Sequence, residues 1–236
     1  MRVLSAETHR GRPVSSGHRF SLMSPSELRA ILDQALRAEM PHVERLAIAA
    51  AVVSELLRRH GMVATLVGGG AIELYAPGVY TTSDIDLVVE GGTRTDLDAV
   101  LVTFGFERRG RHWVLGDLFV EVPGNWMSDP VDVVSVGSLS LRVVRQEVVL
   151  ADRIIGFKHW RSTAYGAQAL ALLQVLGTSL DDQLLCARLR AEDAEDAYDA
   201  LRRLADSGTT VGESELEAVL RRLHEQGGID DRPDTR

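Results

Sequence analysis

An α+β fold is predicted: a mixed, twisted β-sheet with helices on one side, two helices ahead of it in the chain and a helical region behind it. Three observations lead there. A 3.6-residue apolar period runs from Ser24 to Gly61; short β-prone runs separated by glycine turns occupy 62–136; and the helical period returns at Leu150 and persists to His224. The expected organisation is a flexible lead-in at 1–23, an α+β domain at 24–149, a helical C-terminal region at 150–226 and a polar tail at 227–236.

Each element has a local cause. Ser24, Pro25 and Glu27 form a capping signature ahead of the stripe Leu28, Ile31, Leu32 and Leu36, so a helix runs to about Ala38. Pro41 opens a second helix whose stripe ends at the stop signal Gly61. Met62 to Val67 is a strand that meets Gly68, Gly69 and Gly70, and a short helix follows over Ala71 to Tyr75. Asp84 to Glu90 is the next strand and Thr93 to Phe104 a helix. His112 to Leu115 and Leu118 to Val122 pair around a Gly116-Asp117 turn, and Val131 to Val136 is a further strand. The helices expected beyond are Leu150 to Arg161, Tyr165 to Leu176, Asp181 to Leu189, Asp193 to Ala205 and Glu213 to His224. Asp152 and Arg153 read as capping and charging the start of the first of these.

Composition narrows the functional classes. The chain has 236 residues, 45% of them apolar and 25% charged, which is the range of soluble globular domains. Its length supports a core without staples, and Cys186 is the lone cysteine, so a disulfide framework and a multi-cysteine zinc site are excluded. Cys186 itself reads as core. No apolar run approaches the roughly 20 residues of a membrane span, and the first 22 residues are too polar for an export leader, so no membrane role and a cytoplasmic location are expected. A net charge of −8 argues against binding long nucleic acid through a broad basic surface.

Chemistry concentrates in Leu66-Val67-Gly68-Gly69-Gly70 and Thr82-Ser83-Asp84-Ile85-Asp86-Leu87-Val88-Val89. Asp84 and Asp86 leave the same face of one strand, with α-carbons about 6.6 Å apart. Two carboxylates against an apolar strand repel each other unless a cation neutralises them, and a divalent metal is the simplest partner. The bland alternative is a solvated edge strand whose aspartates deter pairing. The glycines allow close approach of a polyanion to the backbone, with helix-start amides facing phosphate oxygens; taken alone they are a plain tight turn.

This glycine element, followed after a spacer by Asp-apolar-Asp and later by an acid on a neighbouring strand, resembles the DNA polymerase β-like nucleotidyltransferase superfamily over residues 62–161. The segment Asp152-Arg153 with Lys158-His159-Trp160-Arg161 resembles a prokaryotic branch related to type IV toxin-antitoxin transferases. The resemblance implies a nucleotidyltransferase-type sheet and transfer of a nucleoside monophosphate from a nucleoside triphosphate to a hydroxyl. It implies Mg²⁺, or Mn²⁺, held by Asp84, Asp86 and a third acid. Glu121, between Val120 and Val122, matches the third acid, and Asp132 competes with it. Gly68, Gly69 and Gly70 would cradle phosphates, with Gly68-Gly69 and Gly69-Gly70 both fitting the motif.

Several residues carry two readings. Ser83 is a phosphate hydrogen-bond donor or a strand-start residue. Lys158, the single lysine, is a triphosphate contact or part of a solvated helix face. His159 and Trp160 read as packing residues, and the histidines show no zinc-site spacing. Arg108, Arg109, Arg111, Arg142, Arg145, Arg153, Lys158 and Arg161 would form a positive rim if they converge, suited to RNA such as a tRNA or to the nucleotide alone. Expected partners are the nucleoside triphosphate, an RNA or protein acceptor and a cognate toxin or antitoxin. The alternatives are a small-molecule transferase of the aminoglycoside-modifying type and a catalytically silent binding module. A dinucleotide-binding reading fails because Glu73 falls where the third glycine would be required.

Overall fold

The structure is a computed structural model and describes residues 4–5 and 23–227. The tail beyond 227 and the lead-in, apart from residues 4–5 and Met23, lie outside the described residues. Two compact units divide the chain, Met1–Arg145 and Gln146–Arg236.

The first unit carries a mixed sheet with strands β1 (Leu4–Ser5), β2 (Val63–Leu66), β3 (Asp84–Glu90), β4 (Glu107–Arg109), β5 (His112–Leu115), β6 (Leu118–Gly124), β7 (Val131–Val136) and β8 (Leu139–Val144). Their order is β1-β7-β8-β2-β3-β6-β5-β4. The pairs β2/β8 and β3/β6 are parallel; β2/β3, β5/β6 and β7/β8 are antiparallel. Burial alternates along β3: Ile85, Leu87 and Val89 are enclosed, while Asp84, Asp86, Val88 and Glu90 are partly open. One face of the sheet is therefore core and the other is accessible at its centre.

Helices α1 (Pro25–Arg37), α2 (His42–Arg58), α3 (Gly68–Tyr75) and α4 (Arg94–Phe104) accompany the sheet. The start of α1 is a complete capping box in which the Ser24 hydroxyl accepts from the Glu27 amide and the Glu27 carboxylate accepts from the Ser24 amide. Thr93 and Asp96 repeat the device at α4, and Gly105 ends that helix in the left-handed conformation at φ 111°. Helix α2 runs through Leu46, Ala47, Ala50, Val53 and Leu57, all buried, which makes it the spine of the first unit's core.

Three differences from the sequence reading have physical causes. Helix α3 starts at Gly68, not at Ala71, so the glycines are its first turn instead of a loop before it. Strands β1, β4 and β8 are additional; β8 alternates as Leu-Ser-Leu-Arg and returns from β7 through the two-residue turn Gly137-Ser138, a hairpin signal that the sequence reading did not use. Helix α5 (Gln146–His159) starts four residues before Leu150, so Asp152 and Arg153 lie inside the helix and do not cap it. Arg188 donates to Asp152 at 2.9 Å, and the Arg153 guanidinium lies 4.7 Å from the Tyr165 ring centre.

The second unit is helical among its described residues: α5, α6 (Thr163–Leu176), α7 (Asp182–Ala191), α8 (Glu195–Asp206) and α9 (Glu213–Gly227). Small residues allow close crossing: a β-carbon on Gly166 would stand 2.6 Å from a Phe157 ring atom. No helix among the described residues is long and apolar enough to cross a membrane.

Candidate active site

The accessible face at the centre of the sheet gathers the acids. Parallel pairing sets Asp84 opposite Phe119 and Asp86 opposite Glu121. Antiparallel pairing sets His112 opposite the same Glu121. Residues directly opposite in register project to one face, so β3, β6 and β5 contribute one row across three adjacent strands. Asp132 lies on β7, separated from β3 by β8 and β2, where its carboxylate accepts from the Tyr75 hydroxyl at 3.1 Å. Of the two candidates for a third acid, Glu121 is the one beside Asp86.

Distances define a compact polar cluster. His112 Nε2 is 3.2 Å from Glu121 Oε2 and 3.8 Å from Asp84 Oδ2. Ligand atoms of Asp84, His112 and Glu121 all lie within 4.8 Å of one another. The Asp84, His112 and Glu121 side chains are 33%, 21% and 18% exposed, so the cluster lies at the edge of the core and not deep within it. Arg111, on the loop before β5, places Nε 3.2 Å from Glu121 Oε2.

The glycine turn abuts this cluster. Gly68 has φ +60°, and a β-carbon there would sit 2.4 Å from Asp86 Oδ2. Only glycine satisfies both the left-handed backbone and the approach of that carboxylate. The amide of Val67, the N-cap residue of α3, donates to the Asp86 carbonyl at 3.0 Å, which ties the helix start to β3. Gly69 is constrained differently: its β-carbon would meet Thr82 Oγ1 and a Tyr80 ring atom at 2.9 Å. Gly70 packs toward Leu66, where a β-carbon would stand 3.0 Å from the side chain.

A second clasp holds the segment before β3. Glu73, on α3 and only 3% exposed, accepts from the Thr82 amide at 3.2 Å. His42 Nε2 reaches the Thr82 carbonyl at 2.8 Å and lies 3.7 Å from Glu73. The Thr82 hydroxyl donates to the Asp84 carbonyl, and Ser83 Oγ donates to Asp84 Oδ1 at 3.1 Å. Ser83 thus orients the first aspartate.

Other expected contacts are distributed elsewhere. The Lys158 ammonium donates to Asp196 at 2.9 Å and to the Asp193 carbonyl, so its donors serve the helical unit, and the residue is not on an open face at 14% side-chain exposure. Within the expected positive rim, Arg108 pairs with Asp98, Arg109 with Glu107, and Arg142 donates to Thr65, while Arg111 is the arginine that meets the acid cluster. In the second unit, Arg161 donates to His224.

Sequence reasoning missed His112 and Glu73 as site residues, whereas Arg111 was expected in the positive rim. The signal for His112 was present: a two-residue turn at Gly116-Asp117 sets Leu115 against Leu118 and, counting outward, His112 against Glu121. Glu73 had no such signal, because its partner is a loop amide nine residues on.

No protein-family model matches the sequence, and no curated protein matches it. Solved structures with a similar course of the chain include an antigenic nucleotidyltransferase-like protein from Paracoccidioides brasiliensis, at 15% identity and a TM-score of 0.48, covering 69% of this chain and 94% of that one. ANT(2'')-Ia in complex with adenylyl-2''-tobramycin is similar at 16% identity and a TM-score of 0.42, covering 64% and 99%. The solution structure of the antibiotic-resistance factor ANT(2'')-Ia stands at 15% and 0.47, covering 70% and 99%.

Proposed function

We propose that the chain transfers a nucleoside monophosphate from a nucleoside triphosphate to a hydroxyl acceptor, RNA or protein, as a component of toxin-antitoxin type. The observation that supports this best is the placement of Asp84, Asp86 and Glu121 on one open face of two paired strands, with the left-handed Gly68 turn pressed against Asp86. Carboxylates gathered on one face of adjacent strands favour a bound cation, and the buried Nε2 of His112, which makes no hydrogen bond, is a donor that fits a metal. Asp84, Asp86 and Glu121 are the residues that would hold Mg²⁺ or Mn²⁺. When bound, such an ion supplies neutralisation of phosphate charge and a Lewis acid at the reacting phosphorus.

The chain's own residues do the rest. The glycine turn Gly68, Gly69 and Gly70 forms the first turn of α3, and its partly open start at Gly68 is where free helix-start amides would meet phosphate oxygens. Ser83 fixes the rotation of Asp84, and the Glu73-Thr82 clasp fixes the loop that delivers it. Transfer joins the acceptor oxygen to the α-phosphorus and breaks the bond from that phosphorus to its bridging oxygen, releasing pyrophosphate. With Glu121 Oε2 turned to Arg111 and His112, Glu121 Oε1 is the atom that takes the hydroxyl proton. Positioning and charge stabilisation therefore supply most of the acceleration.

The test is incubation with each α-labelled nucleoside triphosphate and Mg²⁺ or Mn²⁺, against cellular RNA, a protein lysate and an aminoglycoside in separate arms. Label is expected in the RNA or the protein arm, falling roughly 10²-fold or more in Asp84→Asn and Asp86→Asn. Label confined to the aminoglycoside arm would reassign the acceptor to a small molecule. No label with any nucleotide, together with partner binding untouched by both substitutions, would make the chain a silent binding module.

A further inference from the structure

His112 is placed by structure on both sides of its strand. On the opposite face of β5, Trp113 is fully buried, donates from Nε1 to Asp98 at 2.8 Å and has the guanidinium groups of Arg94 and Arg108 over its ring, 4.9 and 4.3 Å from the ring centre. That anchor sets the pleat, and His112 must point into the acid face. There its ring stands edge-on to Phe119, with centroids 6.1 Å apart and planes at 89°.

An imidazole nitrogen facing two carboxylates is placed to share an ion with them. The Nε2 atom is shielded from solvent and makes no hydrogen bond to the protein. Glu121 Oε2 already has a cation in Arg111, whose side chain is 70% exposed and free to turn outward. Two donors about 2.1 Å from a shared ion stand about 3.0 Å apart at a right angle and about 3.4 Å at the tetrahedral angle. The Nε2 distances of 3.2 Å to Glu121 and 3.8 Å to Asp84 sit at or a few tenths beyond that span.

We propose that His112 Nε2, Asp84 and Glu121 together ligate one divalent cation, and that the nitrogen makes this position select a first-row transition ion over Mg²⁺. Mg²⁺ requires oxygen ligands in a strict octahedron and gives up its waters reluctantly, whereas an imidazole nitrogen suits the transition series. Mn²⁺ is the most demanding probe, since it binds such sites most weakly of that series. This rests on the metal-binding part of the reading above and not on the acceptor.

The experiment uses the full chain loaded with Mn²⁺. Pulsed electron paramagnetic resonance should show coupling of the bound ion to a ring nitrogen, and titration should show Mn²⁺ displaced only by a large excess of Mg²⁺. His112→Ala should remove the nitrogen coupling and weaken Mn²⁺ binding by roughly tenfold or more while changing Mg²⁺ binding far less; circular dichroism checks the fold. Bound Mn²⁺ without nitrogen coupling in the unmodified protein overturns the proposal, and so does failure to bind Mn²⁺ at all; neither result depends on a variant folding. Nitrogen coupling without nucleotide transfer would leave this inference standing and remove the transferase reading. Transfer without nitrogen coupling would do the reverse.

Discussion

Gly68 and Gly78 separate two reasons for a glycine. Both have positive φ, +60° and +84°, but a β-carbon at Gly68 collides with the Asp86 carboxylate while one at Gly78 meets nothing within 4 Å. Gly78→Ala should therefore cost only the backbone term, about 1–2 kcal/mol in chemical denaturation, and leave cation binding as it was. Gly68→Ala carries the same backbone cost and also displaces Asp86, so metal affinity should fall with it; equal binding curves for the two variants would show that the Asp86 contact is immaterial. At this scale the sequence was informative about the aspartates, because two acids flanked by Ile85 and Leu87 on one strand have no apolar explanation. It was silent about Glu73, whose burial follows from a tertiary contact with Thr82, and about Lys158, whose ion pairs with α8 depend on how the helices cross.

Elements carry the site through their undersides. Replacing the buried indole in Trp113→Ala should destabilise the first unit by about 3–5 kcal/mol, measured by denaturant unfolding. It should also lower metal affinity, because β5 loses the anchor that aims His112. The helix starts respond to acid. The Thr93 hydroxyl and then its backbone amide hold the Asp96 carboxyl below its ordinary 3.8, and the Ser24 backbone amide and then its hydroxyl do the same for Glu27 below 4.5. A depressed carboxyl contributes stability that is complete above the ordinary value and is lost as pH falls through the lower folded one. Thermal unfolding should accordingly drop more steeply below about pH 4 in the unmodified protein than in Asp96→Asn. Thr93→Ala at neutral pH should lose about 1 kcal/mol of helix capping. Helices α1 and α4 were legible because their capping boxes and stripes are local, and α2 because Pro41 and Gly61 bracket its apolar stripe. Strands β4 and β8 were not: β4 is three exposed residues whose only reason to be a strand is the neighbouring β5.

For the molecule as a whole, the net charge of −8 and the acids gathered at the site favour uptake of a nucleotide together with its cation over the nucleotide alone. A nucleoside triphosphate with Mn²⁺ at about 100 times its dissociation constant should raise stability by about 2.7 kcal/mol, seen as a shift in thermal midpoint. The shift should vanish in the Asp84→Asn, Asp86→Asn double variant; a shift that survives places the nucleotide elsewhere. The mixed α+β architecture was readable from alternation between periods, whereas the strand order was not, since β8 inserts between β7 and β2 by long-range pairing. The parallel register of β3 with β6 has a further consequence for how this protein can diverge. Moving β6 by one position would swing Glu121 into the greasy layer and bring Val120 or Val122 out. Insertions and deletions between Phe104 and Leu118 must therefore be absorbed without disturbing that alignment, and descendants of this chain should vary there in loop length while keeping the spacing from Leu118 to Glu121 unchanged.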